Sequence, residues 1–262
     1  MIFTAYRLEL FKMLRRPATW VAYLCFLALT ILLLTSQRYG ALPPNDHKFP
    51  DALPEVLSGD ALLAGTFGVV IIILMLCSEF DWRTSRQNII DGLSKHQWFV
   101  GKMLLLPTIA LVLYLTRLAA GAILAVVTTS HLHTQVPFDP AASYILAACG
   151  VLLGILCYAS VVLFICVTVR STGPSLAVAL LYQVIDNIAA VILRTHRLAD
   201  IAQWLPLQIQ SALAVYVRYQ PHGSSAPGPL GQSQTELLFA AAAAWVAVLL
   251  FVSYRIYMKR DL

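Results

Sequence analysis

Charge is scarce in this sequence. Asp, Glu, Lys and Arg make up 12% of 262 residues, against 59% for the hydrophobic types, whereas a soluble domain is about one-quarter charged. That shortage excludes a water-solvated globular domain and implies a polytopic membrane protein. No G-x-x-x-x-G-K-[ST] loop occurs, so the chain lacks that cradle for ATP phosphates. G-x-S-x-G, H-E-x-x-H and paired intramembrane aspartates are missing as well, so catalysis by this chain is not expected and no cofactor or metal is assigned to it. The five cysteines, Cys25, Cys77, Cys149, Cys157 and Cys166, all fall inside apolar runs. With none in a connecting loop, neither a disulfide framework nor a cysteine metal site is expected. Net charge is +5, but the basic residues form no contiguous patch, which argues against nucleic acid as a partner.

What the chain has instead is long apolar runs. Six of them, Ala18–Thr35, Ala61–Ser78, Met103–Thr129, Ala142–Val169, Pro174–Leu193 and Leu237–Tyr257, are each long enough to cross a hydrocarbon core of about 30 Å. Residues 1–262 are therefore read as one all-α transmembrane domain with six spans. Ahead of the first span, residues 1–16 form an amphipathic helix. Ile2, Phe3, Tyr6, Leu10, Met13 and Leu14 share one side, and Thr4, Glu9, Lys12, Arg15 and Arg16 the other, which predicts a helix lying in the membrane interface with its basic face to water. The run from Ala18 is too long for a signal peptide and no small-residue cleavage site follows, so the first span is read as uncleaved.

Orientation follows from the basic residues. Twelve of the 18 Lys and Arg lie on the side that includes both termini and five lie opposite, with Arg117 inside the third span. Both termini are therefore expected in the cytoplasm. Residues 36–60, marked by Pro43, Pro44, Pro50 and Pro54, and residues 194–236 fall outside. Within the latter, Leu207–Tyr219 is apolar but too short to cross, and predicts an interfacial or re-entrant helix before the last span. A Pro/Gly/Ser linker over residues 221–234 follows.

The charges that do exist concentrate in one place. Glu79, Asp81, Arg83, Arg86, Asp91, Lys95 and Lys102 put seven of them into residues 78–102. Thr84–Ile90 suits a short helix on the membrane surface, Gly92 supplies a left-handed stop, and Ser94 with Gln97 has the spacing of a capping box that restarts a helix. Trp98 and Phe99 follow at the depth where aromatic rings favour the headgroup layer.

Glu79 at the end of the second span, Thr84 five residues later, a short helix, then Gly101-Lys102 opening the third span: this pattern resembles the permease subunit of ABC-2 type ATP-binding-cassette transporters. The string Arg86-Gln87-Asn88-Ile89-Ile90-Asp91-Gly92 resembles one branch of that family. Arg83 departs from it, standing where the family often has glycine. The resemblance implies that two permease subunits, identical or related, enclose a translocation path in a bacterial cytoplasmic membrane. It also implies separate ATPase subunits that bind ATP and Mg and dock on the cytoplasmic face. Export is the implied direction. Glu79, Arg83, Thr84, Arg86, Gln87, Asn88, Ile89, Asp91 and Gly92 become the ATPase-coupling segment, with Glu79 pairing Arg83 or Arg86.

Within the spans, Arg117 and Asp186 are ionisable residues at similar depth, and such groups need a partner or water. Gln183, Asp186 and Asn187 share one face of the fifth span. Arg117, Gln183, Asp186 and Asn187 are read as wall or gate of the path, or as polar glue between helices. Gly150 and Gly154 form a G-x-x-x-G, which lets another helix approach closely, a subunit contact being one use. His131 and His133, and the isolated His47, His196 and His222, are read as simple loop histidines. The competing function is a carrier or channel that uses Arg117 and Asp186 with an ion gradient; an intramembrane enzyme or assembly factor is a third.

Overall fold

The computed structural model describes residues 2–39, 61–82, 84, 87, 90, 92–128, 142–196, 199–209, 213 and 232–259. All the elements it contains are helical: α1 (Ile2–Arg15), α2 (Pro17–Tyr39), α3 (Ala61–Asp81), α4 (Lys95–Thr128), α5 (Ala142–Val169), α6 (Thr172–Thr195), the single turn α7 (Ala199–Ala202) and α8 (Gln232–Lys259). Among the described residues, six of these (α2, α3, α4, α5, α6 and α8) are long and apolar enough to cross a membrane, as the six runs in the sequence predict. The outer stretch over residues 40–60, His131 and His133, and most of the linker over residues 221–234 lie outside the described residues.

Uniform apolarity decides which helices form the centre. α5 reads ASYILAACGVLLGILCYASVVLFICVTV, with no polar face for water, and a helix of that kind belongs inside. It packs against α3, α4, α6 and α8, and Val162, Leu163, Cys166 and Val167 are fully buried. α3 is the next most buried span, while α2, α6 and α8 stand outside it and leave Leu24, Leu32, Leu181, Ile188, Val248 and Phe251 exposed, as lipid-facing helices do.

Local signals at the polar stretch form as their chemistry dictates. Gly92 has φ +103°, the left-handed region that stops a helix. Ser94 and Gln97 make the reciprocal capping box: the Ser94 N–H donates to Gln97 Oε1 at 3.2 Å and the Gln97 N–H to Ser94 Oγ at 3.2 Å. The third spanning helix consequently starts at Lys95, inside the polar stretch, not at Met103. Thr84, Gln87 and Ile90 have helical backbone; Arg83, Arg86, Asn88, Ile89 and Asp91 lie outside the described residues.

Two expectations are corrected by packing. α1 turns only part of its charged side outward: Thr4 and Arg15 are exposed as expected, but Glu9 is buried with Ala5 against α4, Lys12 is half-buried, and Phe3, Leu8, Phe11 and Leu14 are exposed. The charges are drawn inward because opposite charges wait there. Trp98 and Phe99 are not headgroup anchors either, since both are buried in an aromatic cluster. Trp98 stacks on Tyr257 at 4.9 Å and Phe99 on Tyr257 at 5.4 Å, with Phe80 5.8 Å from Trp98. This cluster ties α3, α4 and α8 at the end of the bundle that carries α1.

Gly150 works within the chain. A β-carbon there would meet Phe239 Cζ at 3.2 Å and Leu213 Cβ at 3.4 Å, so its missing side chain admits α8 and the segment after α7 against α5. Overfilling a packed contact costs about 1–3 kcal/mol. Gly150→Leu should therefore lower the melting temperature of the purified chain in detergent, with Gly173→Ala, which faces open space, as the neutral control.

Candidate functional site

The polar end of α3 carries two carboxylates, and each fastens it to a different neighbour. Glu79 sits in a four-charge cluster with Glu9 and Lys12 of α1 and Lys102 of α4. Its Oε1 accepts from Lys12 Nζ at 3.1 Å and from Lys102 Nζ at 2.9 Å, while Oε2 accepts from the Trp98 indole N–H at 3.0 Å. Glu9 answers from the other side: Lys12 donates to its Oε1 at 3.0 Å and Lys102 to its Oε2. Each ammonium thus bridges both carboxylates, and the four formal charges cancel.

Burial makes this cluster consequential. The Glu79, Lys102 and Glu9 side chains are 1%, 2% and 5% exposed. An exposed pair contributes at most about 1 kcal/mol, whereas removing one member of a buried set costs about 3–5 kcal/mol, because the rest is left uncompensated in low dielectric. Its net contribution to stability is therefore small, and its strength is positional. Next to it α1 and α4 are in van der Waals contact, a β-carbon at Gly101 lying 3.5 Å from the backbone of Ala5.

Arg16, at the junction of α1 and α2, adds to the clamp by donating to the Leu74 carbonyl at 2.9 Å and to Ser78 Oγ. Tyr6 bonds Thr108 at 2.7 Å and Tyr23 bonds Thr116 at 2.8 Å, which lays α1 and α2 along α4. The last two turns of α3 and the start of α4 are thus both joined to α1.

Asp81 fastens α3 to α6. The Ser171 side chain makes no cap at the start of α6, and the orphan N–H of Thr172 donates instead to Asp81 Oδ2 at 3.1 Å, alongside the Thr172 hydroxyl. A carboxylate at a helix N-terminus is favoured by the exposed N–H groups and the dipole. The chain then leaves α3 through Thr84, whose hydroxyl donates to the Glu79 carbonyl at 3.4 Å, and Trp82 and Ile90 stand 71% and 76% exposed.

A second polar network lies on the far side of the bundle. Asp186 of α6 accepts from Tyr182 Oη at 3.3 Å and from Gln208 Nε2 at 3.3 Å. Gln208 also donates to Asn187 Oδ1 at 3.2 Å and accepts from Arg194 at 2.9 Å. Gln183 donates to Thr66 of α3 and accepts from Tyr158 of α5, both at 3.4 Å. Arg117 is buried on α4 but forms no ion pair with Asp186, whose polar neighbours are Tyr182 and Gln208. The geometric reason is that α6 packs on α3, α5 and α7, leaving α4 on another side. Residues 206–209 and Leu213 are helical, and Leu207, Gln208, Ile209 and Leu213 are buried. The apolar stretch after the fifth span thus enters the bundle, reaching Asp186 about two and a half turns below the end of α6.

Glu79, Thr84, Gln87 and Gly92 are accordingly collected at one end of the bundle, and Gln183, Asp186 and Asn187 near the middle of α6. Sequence reading missed Glu9, Lys12 and Lys102 as partners of Glu79, and Gln208 as the partner of Asp186. The signal for the first was available: Glu9 and Lys12 are one turn apart on a helix that precedes a Glu79/Lys102 pair. The expected pairing of Glu79 with Arg83 or Arg86 concerns residues outside the described set.

Comparison with known proteins gives one match: a family model described as ABC-2 family transporter protein covers residues 6–186. No curated protein matches the chain. The matched region contains Glu9, Lys12, Glu79 and Lys102.

The cluster generates two expectations. Lys102→Met should destabilise the chain by about 3–5 kcal/mol, and the double variant Lys102→Met with Glu9→Gln by less, since it removes a charge of each sign; a double-mutant cycle of melting temperatures measures the difference. Burial pushes the Lys12 ammonium down, but Glu79 and Glu9 beside it outweigh this and hold its pKa above the ordinary 10.5. A raised folded pKa contributes stability present below the unfolded value and lost as pH rises through the folded one. The melting difference between wild type and Lys12→Met should stay flat across neutral pH and shrink only above pH 10.5, as a pH series of melts will read.

Proposed function

Because the chain belongs to the ABC-2 transporter family, a family of multi-pass membrane components, we propose that it is the permease subunit of an ABC exporter in a bacterial cytoplasmic membrane. Two such subunits, identical or related, enclose the path. Separate ATPase subunits, which bind ATP and Mg, dock from the cytoplasm, where both termini lie. The segment from Arg83 to Asp91 receives them. Trp82 and Ile90 offer exposed apolar contact there, and Arg86, Gln87 and Asn88 supply polar contact in this reading.

One observation carries the proposal: the end of α3 beside this segment is held by Glu79 to α1 and α4 and by Asp81 to α6. Closure of the ATPases on ATP pushes the segment, and the clamp converts the push into joint tilting of α1, α3 and α4, with α6 pulled through its N-terminus. α6 carries the polar network of Gln183, Asp186 and Asn187 near its middle, where Gln208 of the segment after α7 latches it. In this mechanism that contact is the gate, opened when α6 moves away from Gln208.

In the gradient-driven alternative Arg117 and Asp186 would work separately, since they form no ion pair with each other. Tagged protein purified in mild detergent should bring an ATPase subunit with it. Arg86→Glu combined with Asn88→Ala should abolish that association while leaving the melting temperature unchanged. A chain that always purifies alone, or a double variant that retains its ATPase, would overturn the docking assignment.

A further inference from the structure

α1 turns part of its charged side inward, and what it leaves outside is chemically one-sided. Of its four charged side chains, Glu9 and Lys12 are committed to the buried cluster, whereas Arg7 and Arg15 are exposed, in line with exposed Phe3, Leu8, Phe11 and Leu14. The Arg15 guanidinium lies 4.5 Å from the centre of the Phe11 ring. The outward face of α1 is therefore apolar with two cations and no acid.

This face runs directly into a groove. Next to Leu14 and Met13, a cavity of about 190 Å³ is bounded by Trp20, Tyr23, Ile109 and Val112. Beyond Tyr23, which lines both, a second cavity of about 610 Å³ continues between α2 and α4, bounded by Leu27, Ile31, Ala119, Ala120 and Ile123. The opening exists because Ala119 and Ala120 on α4 face the larger Leu27 and Ile31 on α2. Its walls are almost wholly apolar, and they belong to two spanning helices, so the groove lies within hydrocarbon. The volume is in the range of specific ligand sites.

An occupant must match both halves: a long hydrocarbon tail for the groove and a negative head for the two arginines on the outward face of α1, which meets the groove at Leu14. We propose that α1, α2 and α4 form a binding site for one anionic phospholipid of the leaflet that faces α1, its acyl chain along Tyr23, Ala119 and Ala120 and its phosphate at Arg7 and Arg15. The lipid would brace α1 from outside against the same α4 that the buried cluster grips from inside. The site is independent of any ATPase and of the transport reading.

The experiment is native mass spectrometry of the full chain released from neutral-detergent micelles containing equal mole fractions of phosphatidylglycerol and phosphatidylcholine. Each basic side chain near an anionic lipid head is worth about a factor of five in binding, so wild type should retain phosphatidylglycerol over phosphatidylcholine by about 20-fold. Arg7→Gln with Arg15→Gln, both at exposed positions, should bring that ratio close to one while some lipid remains bound. Ala119→Phe with Ala120→Phe, which fills the groove, should reduce retention of both lipids several-fold, with a melting curve confirming that the chain is folded. A wild-type ratio near one, a preference that survives loss of both arginines, or retention indifferent to filling the groove would each overturn the site.

Discussion

Four charges held away from water decide how this molecule is put together. Glu9, Lys12, Glu79 and Lys102 come from three helices, and none of them tolerates burial without the others. Their arrangement forces α1, read from sequence alone as a surface helix, to become a structural member of the bundle. It also joins the start of α4 to the end of α3, with the Trp98 indole completing the shell around Glu79. A hydrophobic contact in the same place would bind as well but would slide. Charge and hydrogen-bond geometry specify one register.

That register matters because of where it sits. The clamp and the Asp81 cap flank the point at which the chain leaves α3, with Trp82 and Ile90 exposed beyond it; in the proposed mechanism, force entering there would be shared among α1, α4 and α6. α5 stands behind them as the apolar pillar, and α8 is held to it through Gly150 and to α4 through the Trp98, Phe99 and Tyr257 rings. α6 is held at its N-terminus by the exposed Asp81 carboxylate of α3 and, from its middle onward, by the buried Gln208, which bonds Asp186, Asn187 and Arg194.

The span count was legible in the sequence, because six apolar runs of sufficient length leave little choice once composition has placed the chain in a membrane. So were the Gly92 stop and the Ser94/Gln97 capping box, which depend only on neighbours within a turn. Glu79, Thr84 and Gly101-Lys102 stood out as a pattern, but their use did not, since Lys102 also pairs with Glu9, a contact that reaches back over the first two spanning segments of the chain. The helical wheel of α1 misled for a physical reason: it assumes that charge seeks water, and here charge found charge. The aromatic belt reading of Trp98 and Phe99 failed similarly, because depth in a bilayer does not say whether a ring faces lipid or another helix. Arg117 and Asp186 share a depth, yet helix adjacency, which no linear pattern records, put α4 and α6 on different sides.

The central claim is that α1, α3 and α4 move as one body. Spin labels at Thr4 of α1 and His96 of α4, both exposed, report it directly by their separation in the assembled, membrane-reconstituted transporter with and without ATP. One unchanged distance distribution in both states, accompanied by a shift in the Thr4 to Thr4 distance between the two subunits, is the predicted result. A Thr4 to His96 distance that changes with nucleotide would contradict it, and would mean that the buried charges open during the cycle.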